Sequence, residues 1–191
     1  MFRPELLVPA GHVEALFAAI EGGADAVYFG LPSFSARKRA ENFQPGQLLA
    51  LQQLAAQHRI KLYLTLNTLV KNDEIPELLD SLSLASRMKL AGVIIQDWGV
   101  YHLLRHFFPD IPLHASTQMG FHNSPGVTFA KASGFERVIL ARELTAGELE
   151  TLRGNTDLEL EIFVHGALCY SFSGNCLFSS YLGGMSANRG K

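Results

Sequence analysis

The chain has 191 residues, 48% of them hydrophobic and 18% charged, a globular balance that excludes a disordered or fibrous protein and suffices for one domain with a sizeable core. Its formal net charge of −2 and pI near 6.4 give no global attraction to nucleic acid, so any RNA contact must come from local patches such as Arg37-Lys38-Arg39. No apolar run approaches the ~18 residues of a membrane span, Met1-Phe2-Arg3-Pro4-Glu5 does not read as a leader, and two cysteines are too few for a disulfide scaffold, so a cytoplasmic, reducing address is expected.

Glu5 to Ala10 reads as a short apolar strand, and Gly11 opens a helix in which Val13, Leu16, Phe17 and Ile20 share one face until Gly22-Gly23 stops it. Asp25 to Gly30 is a second strand, followed from Pro32 to Phe43 by a polar, basic connection long enough to suggest a functional loop. A helix from about Gln47 to His58 turns Leu48, Leu51 and Leu54 inward. Lys61 to Thr68 is a third strand with Leu62, Leu64 and Leu66 on one face and Tyr63, Thr65 and Asn67 on the other. Pro76 suits the first turn of a helix to about Leu90, after which Val93-Ile94-Ile95 forms an apolar strand ending in Gln96-Asp97. Val100, Leu103, Leu104 and Phe107 repeat the helical spacing, and Trp98 reads as a packing residue at the rim. Pro112 to Gln118 is a fifth strand, Val127 to Ala132 a weak helix, and Arg137 to Leu140 a sixth strand ending in Arg142-Glu143. Thr145 and Glu148 fit a capping box for a short helix to about Leu152.

The seventh strand alternates Leu158, Leu160, Ile162 and Val164 with Glu159, Glu161, Phe163 and His165, then breaks at Gly166 into a run carrying the only two cysteines, Cys169 and Cys176. With Ser173 and Gly174 allowing close backbone approach, two thiols seven positions apart are compatible with one metal centre; equally, a free cysteine serves as a small buried hydrophobe. Strands alternating with helices at these spacings fit a parallel (β/α)8 TIM-type barrel better than a doubly wound sheet, incomplete here with about seven strands. No glycine-rich phosphate fingerprint follows the first strand. Asn67, Gln96, Asp97, His114, Ser116, Gln118, Arg142, Glu143 and His165 all fall near C-terminal strand ends, the face on which barrels carry their sites. Of these, Asn67, His114, Gln118, Arg142, Glu143 and His165 are the candidate catalytic residues. His114 and His165 suit acid–base chemistry, ligation or ordinary hydrogen bonding, whereas Arg142-Glu143 reads either as an internal ion pair or as an anion site. His12, His58, His102, His106 and His122 read as solvated surface residues.

Glu161, Phe163, Gly166, Ala167, Leu168, Cys169, Gly174 and Cys176, followed by Ser179, resemble the signature of the U32 peptidase (collagenase-like) family, departing where Phe178 replaces a usual aliphatic residue. The resemblance extends to Pro9–Gly11, Gly23–Tyr28, Asn67, His114–Gln118, Ala141–Glu143 and Ser186–Gly190, so it spans nearly the whole chain. It implies a barrel, residues 1–191 forming a single N-terminal barrel domain in which 169–191 is a cysteine-bearing loop and tail. The better-understood relatives carry a 4Fe–4S cluster on four cysteines and take part in hydroxylation, of RNA bases with a need for prephenate in one branch and of a ubiquinone precursor in another. The resemblance therefore implies an iron–sulfur, prephenate-dependent protein that hydroxylates tRNA or rRNA. It makes Cys169 and Cys176 two of the cluster ligands, with the remaining two expected beyond Lys191 in an apparently truncated chain. Apart from the resemblance, Gly183-Gly184 and Ser186 to Gly190 read as a flexible loop in which Arg189 is a candidate anion contact. The family label itself suggests a peptidase, for which Cys169 and His165 would form a thiolate–imidazolium pair, although the chain has neither a His-Glu-x-x-His zinc helix nor a Gly-x-Ser-x-Gly elbow. An inactive fragment or a binding module is the non-enzyme alternative.

Overall fold

Seven short parallel strands lie side by side in chain order, each returned to the next by a helix or a helix-bearing connection. The computed structural model describes residues 3–36, 41–166, 169, 171–184 and 186. The strands are β1 (Leu7–Pro9), β2 (Ala26–Gly30), β3 (Lys61–Leu66), β4 (Gly92–Ile95), β5 (Leu113–Ala115), β6 (Arg137–Ile139) and β7 (Glu159–Glu161). The helices are α1 (Val13–Glu21), α2 (Leu48–Gln57), α3 (Ile75–Ser86), α4 (Trp98–Phe107), α5 (Ser124–Ala132), α6 (Ala146–Gly154) and α7 (Phe178–Gly183). Every neighbouring pair from β1·β2 to β6·β7 is parallel, so the expected TIM-type arrangement is present as a curled half-barrel with β1 and β7 at its edges.

Strand alternation sorts the side chains into two apolar layers. Val27, Phe29, Leu62, Leu64, Leu66, Val93, Ile95, Leu113, Val138 and Leu140 face outward and pack beneath the helices against Leu16, Leu48, Leu51, Leu78, Leu82, Leu104, Val127 and Leu152. The inner face carries a smaller cluster of Ala26, Tyr63, Ile94 and Ile139. Each fully buried aliphatic side chain is worth about 1.5–3 kcal/mol, so the outer layer dominates stability and the inner face is left free to hold polar groups. The capping box at Thr145 and Glu148 is present: Thr145 N–H donates to Glu148 Oε2 at 2.7 Å and Glu148 N–H to Thr145 Oγ1 at 3.4 Å.

Charge closes the N-terminal end of the inner face. Arg137 donates through Nε and Nη2 to Glu159 Oε2 at 2.8 and 2.6 Å, and through Nη1 to Glu5 Oε1 at 2.9 Å and Glu161 Oε2 at 3.3 Å. Glu5 also accepts from Lys61 Nζ at 2.6 Å and the Tyr63 hydroxyl at 3.0 Å. One guanidinium thereby ties the segment leading into edge strand β1 to edge strand β7, 132 positions apart for Glu5 and Arg137.

Among the boundaries that differ from the sequence reading, three bear on the site. β7 stops at Glu161 instead of running on to His165, because its partner β6 ends at Ile139 opposite Glu161; beyond it Val164 is 80% exposed. β5 stops at Ala115 because the Ser116 hydroxyl accepts from Gln118 N–H at 3.2 Å, starting a 3-10 turn, Thr117–Met119, that ends on left-handed Gly120 at φ 71°. Residues expected to be loop form α7, a short helix ended by left-handed Gly184. The run Arg37-Lys38-Arg39, Ala167 and Leu168 of the signature, and Arg189 lie outside the described residues.

Candidate functional site

At the C-terminal ends of β5, β6 and β7, three loops converge on one serine. Ser173 is 3% exposed. Its backbone N–H donates to Glu143 Oε1 at 2.7 Å and its hydroxyl to the same oxygen at 3.2 Å, while its Oγ accepts from Arg142 N–H at 3.3 Å and Arg142 Nε at 3.4 Å. Arg142 and Glu143 therefore meet at Ser173 rather than pairing with each other, and together they dock the loop that carries both cysteines. Burial works to raise the Glu143 carboxyl, but the hydrogen bonds from its own backbone and from Ser173 outweigh that and hold it below the ordinary glutamate value.

Gly174 makes the docking sterically feasible. It sits at φ +80°, and a Cβ there would lie 2.2 Å from the Gln118 carbonyl oxygen, so only glycine lets the loop lie against the turn after β5. The close approach expected between the two cysteines at Ser173-Gly174 thus has a specific partner, the Gln118 backbone. Gln118 Oε1 is buried and has no hydrogen-bond partner among the described residues.

Cys169 is exposed and Cys176 half-buried, both as free thiols. The Cys169 thiol is held below the ordinary cysteine value first by the Ser171 N–H, then by a hydrogen bond from Arg142, with a smaller contribution from the Cys176 thiol. The Arg142 guanidinium beside Cys169 favours its thiolate form. Thiolate is the form that binds metal, so the pair fits two positions of a cysteine-ligated centre; among the described residues no group of three or more His, Cys, Asp or Glu completes one.

The remaining candidates are distributed elsewhere. Asn67 follows β3, where its Oδ1 accepts from Ala36 N–H at 3.0 Å and so fixes the loop after β2. Nearby, a cavity of about 280 Å³ opens at the ends of β1–β3, lined by Tyr28, Ser35, Asn42, Thr65 and His12 among others. His114 lies deeper on the inner face, its ring centroid 5.0 Å from that of Tyr63, directly opposite Arg137 in the register of β5 and β6. Burial, reinforced by Arg137, pushes its pKa down to about 3, so it is a neutral imidazole across the physiological range. Gly92 provides the room: a Cβ there would lie 2.8 Å from His114 Nε2. His165 is exposed, four residues past the end of β7. Asp97 caps α4, accepting from Gly99 N–H at 2.6 Å and Val100 N–H at 3.1 Å, and also accepts from Val70 N–H at 3.1 Å. Trp98 packs edge-on against Tyr101, Phe129 and Phe135, as its reading as a packing residue requires. The structure brings Gln118, Arg142, Glu143, Cys169 and Cys176 together, while Asn67 and His114 make their contacts elsewhere.

Two contributors escaped the sequence reading. His122, assigned to the surface, is half-buried with Nε2 3.4 Å from Glu143 Oε2 and Nδ1 2.6 Å from the Gly120 carbonyl. The sequence around Ser173 suggests only close backbone approach, whereas its hydroxyl is the hub of the docking. Neither lies on a periodic element, so no spacing marks it; only the glycines at 120 and 174 hint that these loops turn back on the site.

The family model for Peptidase family U32 matches residues 11–191 of the chain. The chain is 36% identical over 188 residues to tRNA hydroxylation protein P1 of Bacillus subtilis, an alignment covering 98% of this chain and 44% of that protein. It is 37% identical over 188 residues to a 23S rRNA 5-hydroxycytidine synthase of Escherichia coli, covering 98% of this chain and 28% of that protein. The chain thus spans less than half the length of either relative. A solved structure of a U32 peptidase has the same fold, with a TM-score of 0.69 at 14% identity over 84% of this chain and 68% of that one.

Proposed function

We propose an RNA-modifying role, from the premise that this chain belongs to peptidase family U32, whose model spans residues 11–191. In this reading the chain is the barrel portion of a protein that hydroxylates bases of tRNA or rRNA. The observation that carries it is the similarity, over 98% of the chain, to proteins named for tRNA hydroxylation and for 5-hydroxycytidine synthesis in 23S rRNA, extending through the docked cysteine loop. Cys169 and Cys176 would hold a 4Fe–4S cluster, with two further cysteine ligands supplied from beyond Lys191. When bound, such a cluster supplies electron transfer at the barrel mouth. Ser173, Glu143 and Arg142 fix the loop, and Arg142 also stabilises the Cys169 thiolate. Its planar fork is suited to a carboxylate or phosphate, which is the chemistry of both prephenate and an RNA backbone. The docked loop, with Gln118 beneath it, is where an RNA base would be presented.

The peptidase alternative needs a base beside a nucleophilic thiol. The leading groups that lower the Cys169 pKa are a backbone N–H, a guanidinium and a second thiol, with no imidazole among them, which favours ligation over nucleophilic attack.

The test is anaerobic reconstitution with iron and sulfide of the 191-residue chain and of the longest natural polypeptide that contains it, followed by absorbance near ~400 nm. The expected result is a cluster in the longer polypeptide that is lost in Cys169→Ala and in Cys176→Ala. A cluster unaffected by both substitutions would refute the ligand assignment.

A further inference from the structure

The docked cysteine loop rests on Glu143, and Glu143 has a second partner that the ligand assignment does not use. His122 Nδ1 lies 2.6 Å from the Gly120 carbonyl oxygen, which can only accept, so Nδ1 carries a proton. The other ring nitrogen, Nε2, is buried, 3.4 Å from Glu143 Oε2, and among the described residues has no hydrogen-bond partner. In the neutral tautomer with Nδ1 protonated, Nε2 presents a lone pair to a carboxylate oxygen; in the imidazolium it presents a proton. The other carboxylate facing His122 is Glu148 at the start of α6, whose charge also interacts with the imidazole. The cation nearest in sequence to this pair, Arg142, is directed to Ser173 and Cys169 instead. From the loop itself, the Phe172 ring packs at 6.5 Å from the imidazole and carries no charge.

We propose that His122 is a positioning residue: its imidazolium, anchored on Gly120, holds Glu143 in the orientation that clamps Ser173, and so sets how tightly the loop bearing Cys169 and Cys176 docks at the barrel mouth. The chain of contacts runs from the loop after β5, through the loop after β6, to the cysteine loop, so one proton on His122 reaches the metal-binding arm through two hydrogen-bonded residues. Protonation brings Nε2–H against Oε2 and leaves Oε1 to accept both Ser173 donors. Deprotonation removes the attraction on one carboxylate oxygen and lets Glu143 rotate, which loosens the grip on Ser173. The importance of this clamp to cluster loading rests on the function proposed above; the clamp itself does not.

The experiment uses the 191-residue chain without metal. Amide nitrogen–proton spectra are recorded from pH 5.5 to 8.5, and exchange of the Ser173 amide with deuterium is measured across the same range after correction for intrinsic exchange. The expected result is that the Ser173 amide shift follows the titration of the His122 ring, with the same midpoint, and that protection of this amide falls at least about tenfold as the ring loses its proton, the loss of one charge-assisted hydrogen bond's worth of support. His122→Gln, which offers a neutral donor and does not titrate, should abolish the pH response while retaining intermediate protection. His122→Ala should lose protection at every pH. A Ser173 amide that ignores the titration of His122, or a pH response that persists in His122→Gln, would overturn the proposal. A clamp that titrates as described in a protein that takes up no iron at either cysteine would support this inference and count against the cluster reading alone.

Discussion

Replacing His114 with leucine removes a titrating group from the inner face of the sheet without adding a polar atom. In the folded protein burial, with help from Arg137, pushes its pKa down to about 3, against the ~6.5 of an unfolded histidine. Between these values the unfolded chain binds more protons than the folded one, so stability rises with pH there and falls as the solution is acidified below about pH 6.5. At about 1.4 kcal/mol per pH unit, acidification from pH 7 to pH 5 should cost about 2 kcal/mol through this residue alone. That is a sizeable part of a typical domain stability of about 5–15 kcal/mol. Glu161 works in the opposite sense: burial, its largest influence, raises its pKa, so it gains protons on folding and adds stability as pH falls. It is present in both proteins and cancels in the comparison. His114 Nδ1 is already buried and without a partner among the described residues, so leucine should cost less than about 1.5 kcal/mol at pH 7. Urea unfolding followed by the fluorescence of Trp98, the only tryptophan, at pH 7 and pH 5 gives the two stabilities. The His114→Leu protein should lose about 2 kcal/mol less than the parent over that interval. Equal losses in the two proteins would refute the claim that His114 is buried in its neutral form.

Other substitutions separate the structural roles. Arg137→Met leaves Glu5, Glu159 and Glu161 without their shared guanidinium and should cost about 3–5 kcal/mol in urea unfolding at neutral pH, less in acid where the carboxyls can protonate. Gly174→Ala forces a Cβ into the Gln118 carbonyl at a left-handed position, so the loop should undock; alkylation of Cys176 by iodoacetamide should quicken several-fold while the urea midpoint moves little. Arg142→Gln removes a hydrogen bond and a positive charge from the Cys169 thiol, so the pH midpoint of Cys169 alkylation, followed by peptide mass spectrometry, should rise.

The fold was legible in the sequence because it rests on periodic signals. Leucines alternating at 62, 64 and 66 are the outer face of β3, and Val100 and Leu104 are the buried stripe of α4, as the helical spacing requires. The paired positions Thr145 and Glu148 placed a helix start correctly because a capping box is a local interaction. Strand ends were less legible. Ile162 and Val164 keep the alternation of β7 but have no neighbouring strand beyond it, and alternation alone does not reveal an edge. Parity carried His114 to the inner face but not to the correct depth, since depth is fixed by register with Ile94 and Arg137. The charged group around Arg137 unites residues 5, 61, 63, 137, 159 and 161, and no local pattern connects them. A tight turn at Gly174 is legible from the residue itself, but its contact with the Gln118 backbone and the roles of Ser173 and His122 are not, because they depend on three loops meeting.

The most direct test of the functional reading is a count of hydroxylated nucleosides. tRNA and rRNA from cells lacking the gene, complemented with the natural full-length protein or with its Cys169→Ser, Cys176→Ser double variant, are digested to nucleosides and analysed by mass spectrometry. The account predicts a nucleoside carrying one extra oxygen atom that is restored by the unaltered protein and absent with the double variant. Restoration to the same level by the double variant would contradict it.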